Sequence, residues 1–536
     1  MSDKPQERLT WKWDLFHGGM STDEYLGTSS QFADCKNIDV TQFPKGVACS
    51  SAFYKAYDYD SSVGLIDAYP YAAVSKVYAH GTGGKVYVST NTSGTTWTTT
   101  SSSPTNWGDV RSMIPYFWGY YFFLDSAGDG TNYYVHRMTS GNYGSGSFGS
   151  ATSRYLTLKK STGNNGGTWT AMACQNAFLM FAVGKDVFVC TKADATGASY
   201  AAALDPAFTL ESEVVGITYF NNNAKIYTAE GNCYVYSFSG TISTGVGLTT
   251  NYSLKTSAEF STKVVQDYKT DYVFSSDGSY SSCYTIDGYN KGLVFSSKNL
   301  ANLSTGSAKF QFMNAGLFNS VKYAKNSLWA GDQQYAPYAG IYAFESKTAG
   351  LPQAIYKKYV MSATASDTVS CIDFSRTRFA KSATPVTKAF ASVQHYDGSS
   401  NPTTSSLYVI SIDSTTFDPA AEHYVTSRVF YGPSVADYKN PMEIDVGFDL
   451  AGNNETIAIY ASVNSGAFQL VRSFTPASES QAAAAIKRLK IGANEFPTGI
   501  REWNTIQFKV ALTPDGVQNR SPKFLDLSMD YVIGKR

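Results

Sequence analysis

The residues able to do acid–base or metal chemistry are few in this chain and far apart. Its five histidines, His17, His80, His136, His395 and His423, are scattered from end to end. Nothing in their spacing builds a metal site, so each is expected in an isolated surface or core role. Seven cysteines (Cys35, Cys49, Cys174, Cys190, Cys233, Cys283 and Cys371) form no C-x-x-C pair. They read as small buried hydrophobes of a protein assembled in a reducing cytosol. Asp125-Ser-Ala-Gly-Asp129-Gly130 imitates half of a calcium loop but lacks an oxygen ligand at the third position. His136 also stands at position twelve, where such a loop needs an acid, so a hairpin turn is expected instead. Gly144-x-Gly146-x-x-Gly149 has the spacing of a dinucleotide loop. No helix-forming run follows to aim its N-terminus at a phosphate, which leaves a flexible Gly/Ser linker. Phosphate loops, zinc-protease motifs and nucleophile elbows do not occur. No catalytic, cofactor-binding or metal-binding residue is assigned, and no cofactor is expected.

One local motif has a mechanical reading. Thr162-Gly-Asn164-Asn-Gly166-Gly-Thr168-Trp169 resembles the Asp-box turn, with Asn in the Asp position, and a poorer copy runs from Thr90 to Trp97. A side-chain oxygen caps the turn, Gly takes the unusual dihedral and Trp packs beneath the hairpin. Such turns recur in propellers and are structural there. A sialidase-like glycosidase would in addition need an arginine cluster, a Tyr/Glu nucleophile pair and an acid Asp. Arginine is sparse before residue 431.

The elements that must position these residues are nearly all β. Short β-branched and aromatic runs such as KVYVST (85–90), YYFFLD (120–125) and DVFVCT (186–191) alternate with Gly/Ser/Thr/Asn joints. Asp277-Gly278 and Asp287-Gly288 bracket one strand as a tight meander, and Asp129-Gly130, Asp397-Gly398 and Asp515-Gly516 mark further hairpins. A loose recurrence between residues 64 and 431, with VYVST, YYFFLD, VFVCT, KIYTAE, YVFSSD, SLWAGD and FASVQH as successive second strands, predicts about seven propeller blades.

The last hundred residues alternate strictly. Met442, Ile444, Val446, Phe448 and Leu450 share one face, as do Ile457, Ile459, Ala461 and Val463. Ile506, Phe508, Val510 and Leu512 follow with Gln507 and Lys509 opposite, and then Leu525, Leu527, Met529 and Tyr531. This is a β-sandwich pattern. Within it Ser478-x-x-Gln481, AAAAIKRLK and Gly492 predict one short helix, with Lys487, Arg488 and Lys490 near its end.

Charge narrows the function classes. The 43 basic and 43 acidic residues cancel, which argues against a general nucleic-acid binder. With 43% hydrophobic residues and no net charge, the chain is not a disordered one either. The polar N-terminus lacks the apolar stretch of a signal peptide, no run is long enough for a transmembrane helix, and the four N-x-[ST] sequons carry no weight.

Both ends resemble one family. Phe16-His-Gly18-Gly19-Met20, then Asn37-Ile-Asp39-Val40 and Pro44-Lys-Gly46, is similar to the start of propeller-type tail proteins of tailed bacteriophages. Tyr438-Lys439-Asn440, Trp503 with Gln507, and Ser521-Pro522 are similar to their C-terminal region. The resemblance implies a virion structural protein of the tail, assembled in the bacterial cytoplasm, like the nozzle or tube-end subunits that form a ring. It also implies a homo-oligomer, six-fold in family terms, with other tail or portal-adaptor proteins as partners and genomic DNA passing through without specific binding. In such rings the N-terminal strand often closes the propeller. Trp11, Trp13 and Phe16 are then candidate inter-subunit anchors, with packing inside their own subunit as the competing reading. A weakly charged, Tyr-rich surface suits subunit contact.

The expected organisation is an N-terminal arm and strand (1–50), a degenerate propeller (51–431) and a sandwich (432–536). The function expected is non-enzymatic, as a nozzle-like tail subunit. The alternatives are a receptor- or glycan-binding tail protein and, more distantly, a propeller glycoside hydrolase.

Overall fold

In the computed structural model, residues between 7 and 534 are described except for connecting segments, the longest being 21–30, 68–76, 245–263, 297–317, 375–387 and 477–485. From residue 53 to 411 the chain forms seven sheets of four antiparallel strands, and six of them are simple meanders in chain order. The first strand of each sheet lies beside the first strand of the next: Val63–Asp67, Val110–Phe117, Trp169–Cys174, Val214–Phe220, Val264–Asp267, Phe318–Ala324 and Thr368–Phe374. The seventh of these lies beside the first, so the inner strands make a closed circle. That is a seven-bladed β-propeller. The circle is fastened by Phe53–Tyr59, which pairs with Pro402–Ser411 as the outermost strand of blade seven.

Each of the seven recurring segments falls in a different blade. Five are the second strands expected, whereas Val86–Ser89 and Asp186–Thr191 are third strands of blades one and three. The strands on either side of the expected 277–278 and 287–288 turns pair as antiparallel neighbours, with Ser276 opposite Ser281 and Asp287 opposite Asn290, while residues 277–280 and 288–289 lie outside the described residues. The Gly144/Gly146 segment is no loose linker. Ser140–Ser145 is a single helical turn capped by Thr139 and ended by Gly146 at φ +79, with Tyr143 fully buried.

Both chain ends build the sandwich. Its six-stranded sheet contains Arg8–Asp14, Ile38–Asp39, Val47–Cys49, Lys439–Leu450, Ile486–Gly492 and Lys523–Ile533. Its five-stranded sheet contains Asp34–Lys36, His423–Thr426, Thr456–Val463, Gln469–Phe474 and Ile506–Thr513. Arg8–Asp14, Asp34–Lys36, Ile38–Asp39 and Val47–Cys49 are therefore strands of the sandwich, and so is His423–Thr426. The strand that closes the propeller is the later Phe53–Tyr59. The two sheets share one apolar core, in which Phe448 stacks on Phe474 at 5.5 Å.

The expected alternation holds for Ile444, Val446, Phe448, Ile457, Ile459, Phe508 and Val510, all buried. It slips at two bulges. A register shift between Pro441 and Glu443 turns Met442 out to 45% exposure. A second shift, opposite Gly447/Phe448, buries Phe524 and leaves Leu525 half-buried. Gln507 points inward, where its amide donates to the Ser427 carbonyl at 2.8 Å.

The predicted helix is contradicted over its second half. Ile486–Gly492 is a strand paired along Lys439–Leu450. Helix propensity is outweighed by pairing along Lys439–Leu450, which places Ile491 in a buried and Leu489 in a half-buried position while Arg488 and Lys490 face out. Arg488 and Lys490 serve neither a helix end nor an anion patch, and the side chain of Lys487 lies outside the described residues. Arg488 pairs with Asp526 and Asp445, Lys490 with Glu443, and Arg8 with Asp530 across the outer face of the sheet. The zero net charge is thus reproduced locally, as acidic central strands flanked by basic edge strands. Gly447 lies opposite both Arg488 and Asp526, and a Cβ there would come within 2.7 Å of the Asp526 carboxylate.

Six cysteines are free and buried, and burial pushes the thiol of Cys49 up to about 12. The side chain of Cys283 lies outside the described residues. Among the described residues no helix is long and apolar enough to cross a membrane.

Candidate functional site: the seam between sandwich and propeller

Two of the residues that carry the family resemblance, Asn37 and Asp39, lie at the seam between sandwich and propeller. The outermost strand of blade six, Ala354–Ser362, presents an edge whose backbone groups need covering. Asn37 covers it. This residue sits at φ 51, a left-handed conformation that Asn tolerates better than most side chains. Its amide oxygen accepts from the Val360 backbone N–H at 2.7 Å, and its amide nitrogen donates to the Glu422 carbonyl at 3.0 Å. Its own carbonyl accepts from Ser50 and contacts Nδ1 of buried His423 at 2.7 Å. One side chain thus joins the propeller edge to the sandwich. Two positions on, the Asp39 carboxylate lies 3.6 Å from the Lys358 ammonium, both side chains less than a tenth exposed. Ser51 and Tyr359 share a hydrogen bond at 2.9 Å, and Phe53 meets the Tyr359 ring edge-on.

The other N-terminal positions are packing residues. Trp13 and Phe16 are each 2% exposed and pack on one another and on Phe524. Trp11 stacks between Phe430 and Phe508 at 5.2 and 5.6 Å. Trp13 and Phe16 thus pack inside their own subunit, the competing reading of the anchor expectation, and their apolar surface is already covered within the single chain. Gly19 pairs in a short parallel ladder with Gln31, and Gly18 lies outside the described residues. From the C-terminal motif, Lys439 is buried over the Trp503 ring at 5.4 Å and donates to the carbonyls of Ser434, Asp437 and Asn504. Ser521 accepts from the Cys49 backbone at 2.8 Å. Lys358, Val360 and Tyr359 carried no signal in the sequence, because their importance depends on pairing across more than 300 positions.

The Asp-box-like turn lies elsewhere and joins blade two to blade three. Asn164 accepts from Gly166 N–H at 3.1 Å, as the motif's Asp would, and Gly166 takes φ +82. Its amide also donates to the Val183 carbonyl at 2.9 Å and to the buried Asp186 carboxylate at 2.7 Å. Asn is therefore the right residue here, since an Asp would oppose Asp186. Thr168 donates to the Val214 carbonyl of blade four, Trp169 meets Tyr133 of blade two edge-on, and Thr162 is exposed in the turn. The weaker copy at 90–96 lies outside the described residues, whereas Trp97 is buried against Tyr59. Asn164→Asp is expected to cost about 2 kcal/mol at neutral pH. Acidification should recover part of it as one carboxyl takes up a proton, read as a rising urea midpoint for the variant relative to wild type.

The described histidines stay apart, and no group of three or more potential metal ligands occurs among the described residues. His136 is sandwiched between Asp125 and the Arg154 backbone N–H, under the Trp107 ring. Asp129 holds Thr131, Asn132 and Tyr134, so the calcium-like segment is a self-contained hairpin turn.

No protein-family model matches the chain, and no curated protein is similar to it in sequence. Among solved structures it is similar to a computationally designed protein, Ika8 (12% identity, 73% of this chain and 98% of that one, TM-score 0.36). It is also similar to the WD40 β-propeller domain of Doa1 (11%, 67% and 97%, TM-score 0.38) and to a luciferin-regenerating enzyme (10%, 55% and 87%, TM-score 0.31). The propeller assignment rests on the sheet topology rather than on likenesses this distant.

Proposed function

We propose that the chain is a structural subunit of a bacteriophage tail, a nozzle-like ring component bordering the DNA conduit. One observation carries the reading: the motif residues of both ends, which resemble propeller-type tail proteins, meet in a single sandwich whose N-terminal part is bonded to blade six. Such an arrangement suits a ring, because contacts made by the sandwich with a neighbour or a portal adaptor would be transmitted to the propeller through buried polar bonds. The outer face of the six-stranded sheet, with its charges paired locally, offers DNA no sustained basic track.

The test is imaging of intact particles at a resolution that places this chain. A closed homo-oligomeric ring near the portal supports the proposal. A position at the distal tip together with binding of the isolated protein to host cells would replace it with the receptor-binding reading. A monomer found outside any virion would overturn both.

A further inference from the structure

Blade seven carries an unbroken side-chain chain across its four strands. Asp367, just before the inner strand, contacts His395 Nδ1 at 3.0 Å. His395 Nε2 contacts Ser406 Oγ at 2.7 Å, and Ser406 Oγ donates to Asp58 on the ring-closing strand at 2.5 Å. The first three have the order of a hydrolase triad, but their protons do not. Asp58 also meets the Lys55 ammonium at 2.9 Å, and the bond from Ser406 holds its carboxyl below the usual range. With both carboxylates ionised, the three contacts need three protons. The Ser406 hydroxyl supplies one, a neutral imidazole supplies one more, and an imidazolium supplies two.

We infer that His395 carries protons on both ring nitrogens and acts as a cationic clasp that pins the ring-closing strand Phe53–Tyr59 to blade seven through Ser406. An imidazole protonated at Nε2 cannot take the Ser406 proton, so the same count removes Ser406 as a nucleophile, in keeping with its 2% exposure. The charged and titratable groups around the ring are Asp367, itself hydrogen-bonded by Ser362, then Asp58, Lys55, and Tyr408 between the two carboxylates. Tyr396 bonds Thr368 beside it. Two carboxylates and one imidazolium leave the clasp anionic, and Lys55 balances it. With a single ring proton one of the three contacts has no hydrogen, and the closing strand is held less tightly.

Histidine labelled with ¹⁵N in the full chain tests this, with the His395 signals assigned by their loss in His395→Gln. At neutral pH both ring nitrogens should show the protonated shift. One bare nitrogen would overturn the clasp. In Asp58→Ala the Ser406 hydroxyl loses its acceptor on the closing strand and turns its proton toward the ring, so Nε2 should become bare; two N–H groups in that variant would equally overturn the coupling. A second readout guards against misfolding. Ser406→Ala keeps every charge and should raise deuterium uptake across residues 53–59 about fivefold, with blade three unchanged. Unchanged uptake in the closing strand would mean that the chain of contacts does not hold it.

Discussion

Asp39→Ala is expected to destabilise the protein by about 3–5 kcal/mol, the cost of leaving one member of a buried ion pair alone. The partner left behind is Lys358, whose side chain is 8% exposed and would have Tyr356 Oη, at 3.5 Å, as a neutral substitute. The loss should be local first. Deuterium uptake should rise in Ala354–Ser362 and in the Asp34–Asp39 strands before blades two and three respond, because the seam is where the bond is lost. Pairing Asp39→Leu with Lys358→Met should return most of the stability, since an apolar pair avoids the desolvation of two charges. Asn37→Ala should weaken the same seam through the Val360 N–H, which then stays unpaired at a sheet edge. If Asp39→Ala melts with wild type and its seam exchanges no faster, the two modules are joined by something other than these polar bonds.

The contrast between what the sequence revealed and what it hid follows from range. Alternation along PMEIDVGFDL is a local property, so the buried face of that strand was legible, and only the bulges at Met442 and Leu525 broke the parity. The recurring aromatic-rich hairpins pointed to about seven blades, yet two recurring segments belong one strand later than their composition suggests, since second and third strands have the same composition. AAAAIKRLK favours a helix locally; its strand state over Ile486–Gly492 comes from Glu443, Asp445 and Asp526 on distant strands, which no window contains. In the same way Asn164 was visible as a turn cap while Asp186, which makes Asn preferable to Asp, was not. Asn37 and Asp39 were picked out by resemblance alone. Their work, at an edge strand 323 positions away, is a property of the fold.

The largest pH effect should come from His80. It lies on the second strand of blade one, 1% exposed, with its ring against Phe123 and Phe148, and neither ring nitrogen has a hydrogen-bond partner among the described residues. Burial lowers its pKa from 6.5 to about 3, because the imidazolium would lose its hydration with nothing to replace it. The sign is set by the unfolded chain, in which the same imidazole takes up a proton once pH drops below 6.5. Stability therefore falls with acidification over the window between 6.5 and 3, at up to about 1.4 kcal/mol per pH unit, or about 3 kcal/mol by pH 4. His80→Leu removes both the titration and two unpaired polar atoms. Its unfolding midpoint should match or exceed wild type at pH 8 and surpass it progressively below pH 6. Parallel pH profiles for the two proteins would show that the ring is hydrated in solution, and that acid unfolding begins at carboxylates instead.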